Sequence, residues 1–429
     1  MHAILVAFGS AGDVYPFLGL GTELRRRGHR VTMITAGYFE DLARRAGFDF
    51  APFTSREDYL EVIGNPDLWH AQRSVPLLAR RCVIPAVAVV YRLIAERYRP
   101  GETAVLASSL ALGARVAQEK LGVPLTTIHL QPVVFRSRYQ PPILPGLGWI
   151  RQLPVPLRPT LFRLLDFMVD GLYAGPLNEF RATLGLAPVK RVLDQWWHSP
   201  QSTLALFPKW FAMPQPDWPR QVRFLDFPLY DGGVLQPMPE GLQAWLDDGE
   251  APVVYTSGSA MTTGAGFFAA SAAASAALGR RGALLTRFAA QLPAVLPPRV
   301  RHVEYAPFSA LLPRAAAFVH HGGIGTAAQA LRAGVPQLVA PCSHDQFDNA
   351  ARLERLGVSV TVPRAKYTAD NVAAALRALL ADSGLRARCL AQAAQFSGRD
   401  ALADTVDVIE QGWRRLGDST GAARDSVAA

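Results

Sequence analysis

An aspartate lies near the start of the chain, in a glycine-rich turn that follows an apolar run. Residues 3–8 have the uniform apolar pattern of a buried strand, and the stretch GSAGDVYP at residues 9–16 leads through Asp13 into a helix. In an open parallel sheet the ligand lies at the carboxyl ends of the strands, so a carboxylate in this place can take part in chemistry. It can also cap the helix, a role that aspartate commonly fills, and the spacing alone leaves both interpretations open.

A second turn of the same kind combines glycines with two histidines. The stretch HHGGIGT at residues 320–326 leaves an apolar strand and enters a helix. Backbone amides, the positive end of the helix and a histidine side chain together suit the binding of a diphosphate. The alternative is a buried turn in which both histidines serve only as hydrogen-bonding groups.

A third turn, PCSHDQFDN at residues 341–349, again lies between a strand and a helix. Asp345 and Gln346 are short polar side chains that can bind paired hydroxyls, as the recognition of a sugar requires. Helix capping by Asp345 is the alternative. A nicotinamide dinucleotide is not indicated, because the first turn lacks the G-x-G-x-x-G pattern and no acidic residue ends the second predicted strand, VTMIT.

The elements that hold these turns alternate between strand and helix in two successive series. The first begins AILVAF, PFLGLGTELRRRG, HRVTMIT, and the second follows the proline- and glycine-rich stretch FPLYDGGVLQPMPEG. Such alternation predicts parallel sheets, whose ligands bind at the carboxyl ends of the strands. The predicted fold class is therefore α/β, with two Rossmann-like, doubly wound domains facing each other across a cleft.

The domain boundaries follow from the two series. We expect an N-terminal domain over 1–226, a linker over 227–241 and a C-terminal domain over 242–400. Residues 401–429 are expected to form a final helix that crosses back over both domains, followed by a flexible tail. Between 139 and 193 prolines become frequent and the periodicity turns helical, which predicts a helical insertion near the cleft.

Composition narrows the class of protein. At 429 residues, half of them hydrophobic and 18% charged, the chain suits two globular domains. Three widely spaced cysteines form neither a disulfide framework nor a zinc pattern. No cationic leader precedes the first strand, so a signal peptide is not expected. The uncharged run 251–279 is interrupted by Gly, Ser and Thr, which predicts a strand, a loop and a helix and not a membrane span. We therefore expect a cytoplasmic protein.

The net charge of +9 bears on possible partners. The basic residues are spread over helices without interleaved aromatic residues, so we expect no nucleic-acid partner. An anionic membrane surface or an acidic acceptor can exploit the positive field. A basic, solvated surface without a partner is the alternative.

The order of the motifs carries a resemblance. GSAGDVYPFLGL followed by YAPFSALLPRAAAFVHHGGIGTAAQALRAGVPQLVAPCSHDQFDNA resembles the nucleotide-sugar-dependent glycosyltransferases of the GT-B fold, the group that contains plant UDP-glycosyltransferases and antibiotic glycosyltransferases. The resemblance implies that the first domain binds the acceptor and the second the donor. Asp13 matches the catalytic position, a histidine in the plant enzymes and an aspartate in many bacterial ones, and would be the general base of an inverting transfer.

The resemblance also implies a donor site in the second domain. Tyr305, Ala306 and Phe308 would form the site for the base, with the aromatic ring of Tyr305 stacked on it. The diphosphate would be bound by Ser259, His321, Gly323, Gly325 and Thr326, with His320 behind them. Asp345 and Gln346 would bind the sugar ring. The sequence has no Asp-x-Asp pair that would hold a metal. We therefore expect no metal and no cofactor, only a nucleotide-sugar co-substrate.

Further stretches, QWWHSPQ, LFPKWFAMPQPDWP and FPLYDG, are similar to rhamnosyltransferases of rhamnolipid biosynthesis. This likeness implies transfer of L-rhamnose from dTDP-L-rhamnose to a 3-(3-hydroxyalkanoyloxy)alkanoic acid, which gives a mono-rhamnolipid. It also implies a partner enzyme that supplies the lipid, and peripheral contact with the inner face of the cytoplasmic membrane. A polyketide, sterol or peptide aglycone as acceptor, and a non-catalytic subunit that binds nucleotide sugar, remain open.

The acceptor site is expected beside Asp13, among apolar residues near the loops of the first domain. The residues expected there are Gly12, Phe17, Trp69, Val133, Phe135 and Trp149. The apolar members would bed alkyl chains, and ordinary packing in the core or in a lid is the alternative for each of them.

Overall fold

The computed structural model describes residues 1–396 and 398–425, with the backbone alone for 416–425. These residues fold into two units, each built on one parallel sheet with helices on both faces, which confirms the predicted α/β class of two doubly wound units. The strands of the first sheet are β1 (His2–Val6), β2 (Arg30–Ala36), β3 (Asp49–Thr54), β4 (Thr103–Ser108), β5 (Leu125–His129), β6 (Ser202–Leu206) and β7 (Val222–Leu225). Those of the second are β8 (Val253–Thr256), β9 (Gly282–Leu285), β10 (Val300–Val303), β11 (Ala317–His320), β12 (Gln337–Val339) and β13 (Ser359–Thr361).

Helices cover both faces of each sheet. In the first unit they are α1 (Ala11–Arg26), α2 (Glu40–Arg45), α3 (Arg56–Gly64), α4 (Ser74–Leu78), α5 (Ile84–Arg97), α6 (Leu112–Leu121) and α7 (Arg158–Thr183). Later in the chain they are α8 (Glu240–Asp247), α9 (Ala265–Ala277), α10 (Phe308–Leu311), α11 (Ile324–Ala333), α12 (Gln346–Arg355), α13 (Ala369–Ala381), α14 (Ser383–Ala394) and α15 (Ala401–Asp425). The helical insertion predicted between 139 and 193 is α7, preceded by short turns.

Strand order fixes where a ligand can bind. The first sheet runs β3-β2-β1-β4-β5-β6-β7 and the second β10-β9-β8-β11-β12-β13, so the direction of winding reverses beside β1 and beside β8. The central strand β1 is buried on both faces, which its unbroken apolar sequence requires. In open parallel sheets the crevice at such a reversal, beyond the carboxyl ends of the strands, is the ligand site.

The second sheet brings two of the predicted turns side by side. Strand β8 pairs with β11 so that Thr256 lies opposite His320. The chain leaves both strands at the same level, and the turn that carries Ser259 therefore lies next to the glycine-rich turn after His320. The same geometry places the end of β12 one strand further along.

The last helix returns to the first unit. Helix α15 packs against α1 and β7, and its buried Val406 and Ile409 join the main apolar core. Glu410 accepts hydrogen bonds from Arg27 and His29 of the first unit. Helix α15 thus contacts the first unit, and residues 426–429 of the expected tail lie outside the described residues.

The run 251–279 forms β8, a loop and α9, as its interrupted apolar pattern predicts. Over the described part of the chain, no helix combines the length and the apolar character needed to cross a membrane.

Candidate active site

A cavity of about 910 Å³ lies between the two units. Its walls include the turns that follow β1, β8, β11 and β12, so the carboxyl ends of strands from both sheets face one space. The three turns singled out from the sequence therefore meet, although more than 300 residues separate the first from the last.

Asp13 lies in the first turn of α1, and Ser10, not Asp13, is the N-cap residue. The backbone N–H of Ser10 donates to Asp13 Oδ2 at 2.9 Å, and Ser10 Oγ donates to the same oxygen at 3.3 Å. This is the reciprocal half of a capping box, so the carboxylate does stabilise the helix start. Because no hydrogen bond from a described side chain or backbone group ends on Oδ1, the same carboxylate also offers one oxygen to the cavity that it lines.

A glycine makes room for this carboxylate. Gly9 has φ of +123°, and a Cβ on it would lie 2.2 Å from Asp13 Oδ2. Any other residue would therefore strain the backbone and displace the carboxylate. The glycine of the first turn is required by the position of Asp13.

Burial gives Asp13 the proton affinity of a useful base. Burial among the surrounding atoms raises the pKa of Asp13 to about 6, and the hydrogen bonds from Ser10 offset part of that rise. The group is still ionised at neutral pH. A base whose pKa lies close to the working pH is more effective than an ordinary aspartate.

The two histidines of the second turn lie in different surroundings. His320 is fully buried; its Nδ1 accepts from the backbone N–H of Gly322 at 3.1 Å, so its Nε2 donates to Gln337 Oε1 at 3.0 Å. His320 therefore holds the turn from behind, outside the cavity lining. His321 lines the cavity, and its Nδ1 has no partner among the described residues.

His321 is an uncharged hydrogen-bonding group at neutral pH. Burial, assisted by the charge of Arg364, lowers the pKa of His321 to about 4. Its ring packs so closely on the turn that a Cβ on Gly323 would lie 2.5 Å from its Nε2, and one on Gly258 would lie 3.0 Å from the ring. The glycines thus let the imidazole lie against the backbone amides at the start of α11.

The starts of α1 and α11 face each other across the cavity. Gly323 is the N-cap of α11, and a Cβ on Gly325 would lie 3.5 Å from the carbonyl oxygen of Gly12 in α1. Gly12, Gly323, Gly325 and Thr326 all line the cavity. Two positive helix ends therefore converge on one space, an arrangement that attracts an anion.

The third turn supplies a second carboxylate. Asp345 occupies the N-cap position of α12, but its side chain makes no capping hydrogen bond; Asn349 Nδ2 donates to its Oδ2 at 2.7 Å. Burial, and then the negative charge of Asp13, raise the pKa of Asp345 to about 7. The expected alternative role of helix capping by the Asp345 side chain is therefore not observed.

Gln346 is oriented by the loop before it. Its Oε1 accepts from the backbone N–H groups of Cys342 at 2.8 Å and Ser343 at 3.1 Å. The amide nitrogen is then the end of the side chain left for a ligand in the cavity that Gln346 lines. A carboxylate and an amide donor side by side suit vicinal hydroxyls.

Tyr305, Ala306, Phe308 and Ser259 all line the cavity. The first three follow the edge strand β10, and Ser259 follows β8, which lies between β10 and β11 in the sheet. The hydroxyl of Tyr305 donates to the backbone carbonyl of Asp231 in the linker at 2.7 Å, which fixes the ring. The guanidinium of Arg287 lies 5.5 Å from the centre of that ring. The linker thus holds an aromatic face in place for a planar ligand group.

Two hydrogen bonds join the units over the cavity. Thr262 Oγ1 donates to the carbonyl oxygen of Ile63 at 3.0 Å, and His344 Nε2 lies 3.1 Å from the carbonyl oxygen of Leu68. The ring of Trp69 lies edge-on to that of His344. The segment after α3 therefore closes against the donor-side turn that carries Asp345.

The expected acceptor residues divide into two groups. Gly12 and Trp69 line the cavity, whereas Phe17, Val133, Phe135 and Trp149 do not. Phe17 is fully buried in the core behind α1, and Phe135 is packed into the core with its ring stacked on His198. The expectation for these four is corrected. Val133 lies in the short turn Pro132–Val134, just past the lining residues Leu130 and Gln131, and Trp149 is 47% exposed.

Sequence reasoning missed a whole wall of the cavity. This wall comes from α3, the short turn Pro66–Trp69, α4, α5 and the π-helical turn Ala79–Val83 that joins the last two. Its members are mostly apolar, with two arginines, two carboxylates and one tyrosine: Asp58, Tyr59, Glu61, Ile63, Leu68, Leu78, Arg80, Arg81, Val83 and Val89. Gln329 on α11 and Arg287 after β9 were also missed. The available signal for Gln329 was its place in α11, the helix that starts at the glycine-rich turn after His320.

Comparison with known proteins agrees with this geometry. Residues 3–140 match the family model described as glycosyltransferase family 28 N-terminal domain, and 284–408 match the erythromycin biosynthesis protein CIII-like, C-terminal domain. The chain is 31% identical over 406 residues to the O-mycaminosyltylonolide 6-deoxyallosyltransferase of Streptomyces fradiae, covering 92% of this chain and 93% of the relative.

Two further relatives span almost the whole chain. The vancomycin aglycone glucosyltransferase of Amycolatopsis orientalis is 30% identical over 421 residues, which cover 93% of this chain and 95% of the relative. The solved structure of the spinosyn rhamnosyltransferase SpnG complexed with thymidine diphosphate superimposes with a TM-score of 0.68 at 20% identity, covering 96% of this chain and 100% of that chain.

Proposed function

We propose that the chain transfers L-rhamnose from dTDP-L-rhamnose to a 3-(3-hydroxyalkanoyloxy)alkanoic acid, which gives a mono-rhamnolipid. The chain belongs to the GT-B glycosyltransferases of the family 28 and CIII-like type, which are related to antibiotic glycosyltransferases. It is therefore a nucleotide-sugar-dependent transferase. The observation that carries the proposal is the cavity between the units, where Asp13, the α11 turn and an apolar wall with an arginine face one space.

In the proposed reaction Asp13 takes the proton of the acceptor hydroxyl. The hydroxyl oxygen forms a bond to the anomeric carbon as the bond from that carbon to the diphosphate oxygen breaks, and the electron pair leaves with the dTDP. One displacement with the base and the leaving group on opposite sides of the sugar inverts the anomeric configuration. The carboxylate of Asp13 is on the acceptor unit and the phosphate turn on the donor unit, which supports this arrangement.

The leaving diphosphate would be stabilised by uncharged donors. These are the amides at the start of α11, the positive end of that helix, Thr326 and the imidazole of His321. Such preorganised donors act on charge that develops as the bond breaks. We propose on this basis that the transfer needs no metal and no cofactor.

A thymidine-linked deoxysugar is the proposed donor. The ring of Tyr305 would stack on the base, and Asp345 and Gln346 would bind hydroxyls of the sugar. The relative with 31% identity carries 6-deoxyallosyltransferase in its name, and rhamnose is also a 6-deoxyhexose. The structural neighbour that was solved with thymidine diphosphate carries rhamnosyltransferase in its title.

The missed wall supports an amphiphilic acid as acceptor. Its apolar side chains would bed alkyl chains, with the acceptor hydroxyl at Asp13. Arg80 lines the same cavity, is exposed, and forms no ion pair with any described residue, whereas its neighbour Arg81 pairs with Glu61. A guanidinium without a partner at the rim of an apolar cavity suits a carboxylate. An enzyme that esterifies one hydroxy acid with another would have to supply such an acceptor.

A polyketide or peptide aglycone is the second candidate. It is favoured by the names of the two curated relatives, which point to tylonolide and vancomycin aglycones. A neutral aglycone would leave Arg80 without a role in binding. A subunit that binds nucleotide sugar without turnover is disfavoured, because Asp13 and the glycine-rich turns are all in place.

The test is a direct transfer assay. The purified chain is incubated with dTDP-L-rhamnose and either the free lipid acid, its methyl ester or a macrolide aglycone, and mass spectrometry follows glycoside and dTDP. We expect rhamnolipid from the free acid, with a lower KM than for the ester. Turnover of the aglycone alone would favour the second candidate, and binding of dTDP without any product would favour the idle subunit.

Arg80→Gln sharpens the test of the acceptor. This variant is expected to lose the preference for acid over ester through a higher KM for the acid, while the rate with the ester stays unchanged. Arg92→Gln on the outer side of α5 is the matched control, because Arg92 is exposed and does not line the cavity. An undiminished preference in Arg80→Gln would contradict the role of Arg80 without affecting the assignment of the reaction.

A further inference from the structure

Exposed apolar side chains gather on one side of the first unit. Of the fourteen exposed large apolar residues among those described, seven lie between residues 139 and 168. Four of them form what we call the α7 face: Leu157, just before the helix, and Leu164, Phe167 and Met168 within it, exposed by 56%, 58%, 78% and 63%. If the fourteen residues were spread evenly along the chain, about one of them would lie between 139 and 168. The exposed apolar residues of this segment are therefore a cluster and not the ordinary background of single apolar residues.

Helical geometry puts these side chains in one stripe. Leu157 and Leu164 are seven residues apart, and Phe167 and Met168 follow Leu164 by three and four. The opposite side of α7 is already used, since Tyr173, Ala174 and Leu177 are buried against α5 and the π-helical turn before it. Helix α7 thus has one apolar side that the fold needs and a second that no described residue covers.

The charge around the α7 face is positive. Residues 136–191 contain eight Arg and Lys and three Asp and Glu. Four of the eight pair with acids outside the segment, namely Asp194, Asp217 and Glu119. With these partners included, the net charge is +2. Asp166 is engaged by Arg136 and Arg191, and Asp170 accepts from backbone N–H groups. Arg163, beside Leu164, is exposed and forms no ion pair with any described residue.

From this combination we propose that the α7 face is a membrane-docking surface that inserts its apolar side chains into the interface of an anionic lipid bilayer. Protruding Leu, Phe and Met side chains beside an unpaired Arg are the composition of helices that lie in the plane of the headgroups. Charge complementarity with anionic lipid favours this occupant over a second copy of the chain, because two copies would bring two net positive surfaces with their unpaired Arg163 side chains together.

The position of α7 connects docking to the active site. The π-helical turn Ala79–Val83 packs on α7 with one side and lines the cavity with Arg80, Cys82 and Val83. Docking would therefore place the apolar cavity wall one helix away from the lipid phase, where a lipid acceptor enters and a glycolipid leaves. This benefit rests on the proposed function, whereas docking itself does not.

The test uses the full chain and vesicles without acceptor. Cosedimentation is measured with vesicles of phosphatidylethanolamine and phosphatidylglycerol and, separately, of phosphatidylcholine. The wild type is expected to bind the anionic vesicles and to release with rising salt. The double variant Leu164→Ser/Met168→Ser should bind at least about tenfold more weakly.

Matched variants separate docking from a general loss of apolar surface. Met213→Ser/Leu390→Ser removes a Met and a Leu of similar exposure, 64% and 51%, elsewhere on the surface and should bind like the wild type. Arg163→Gln should weaken binding to anionic vesicles only. Transfer to a short-chain, water-soluble acceptor should be equal in all four proteins, which shows that they are folded.

Three results would overturn the proposal. These are no vesicle binding by the wild type, equal binding by the two double variants, or a wild-type dimer that only the α7 variant dissociates in light scattering, which would make the face an interface between copies. Vesicle binding by a chain that does not glycosylate the lipid acid would leave docking standing and refute the proposed acceptor.

Discussion

Asp13→Asn is the substitution that most sharply separates catalysis from helix capping. The side-chain oxygen of asparagine can still accept the N–H of Ser10, so the start of α1 should persist. What is lost is the only proposed proton acceptor beside the donor site. Removal of a general base lowers kcat by roughly 100- to 10,000-fold.

The expected phenotype follows from the geometry. At pH 7.5 a carboxyl with a pKa of about 6 is roughly 97% ionised, so nearly all wild-type molecules hold the base form. The variant should therefore lose at least about 100-fold in kcat, keep its affinity for dTDP within about twofold and keep its melting temperature. Initial rates, calorimetric dTDP titration and thermal unfolding measure the three quantities.

The pH profile gives a second readout. In the wild type kcat/KM should fall as pH drops through about 6, because Asp13 gains a proton, and Asp345 with a pKa of about 7 titrates with it as a pair. The residual activity of Asp13→Asn should lack the lower of these steps. Asp58→Asn, the same chemical change at another carboxylate of the cavity, is the control and should behave like the wild type. Activity of Asp13→Asn within about tenfold of wild type would return the residue to capping alone.

Three further substitutions test the supporting geometry. Gly9→Ala should lose both activity and stability, the latter by about 1–3 kcal/mol, because its Cβ would meet the Asp13 carboxylate and its φ is positive; an unchanged urea midpoint would contradict this. His321→Ala should lower kcat by about 100- to 1,000-fold and weaken dTDP binding, and unaltered dTDP affinity in calorimetry would remove the imidazole from the diphosphate site. Asp345→Asn tests the electrostatics. Because the folded-state pKa of Asp345 is raised to about 7, the wild type loses stability as pH rises from about 4 to about 7, whereas the uncharged variant does not. The melting temperature of the variant minus that of the wild type should thus be near zero at pH 4 and positive at pH 8, and a difference that does not change with pH would refute the raised pKa.

The parts of the site that sequence reasoning predicted lie on strand ends. Parallel sheets place successive strand ends at one edge, and glycines there mark turns whose backbone must approach a ligand. His321 and Asp345 lie in the turns after β11 and β12, so the topology of the second sheet alone predicts that they are neighbours. Asp13 follows β1 of the first sheet, and its place opposite them depended on the prediction that two domains face each other across a cleft.

The missed wall of the cavity could not be predicted in this way. It is built from α3 to α5, whose side chains reach the cavity only through tertiary packing of irregular helices joined by a π-helical turn. The choice of Phe17 and Phe135 shows the limit, since an apolar residue near a loop has the same sequence signal whether it faces the core or a cavity.

The ambiguity at Asp13 had a physical origin too. Spacing placed a carboxylate at a helix start but could not decide between cap and base. The structure shows that Ser10 is the cap and that Asp13 accepts from it with Oδ2, while Oδ1 accepts no hydrogen bond from a described group and Asp13 lines the cavity. The two interpretations are therefore compatible, since the capping contact orients the proposed base.

The central claim is that the diphosphate of the donor lies at the start of α11, opposite Asp13. A crystal structure of the chain with dTDP bound tests it most directly. We predict diphosphate oxygens within hydrogen-bonding distance of His321 and of the amides at Gly325 and Thr326, with the free oxygen of Asp13 facing the place of the missing sugar. A diphosphate bound elsewhere, or an Asp13 carboxylate turned away from the cavity in that complex, would contradict the account.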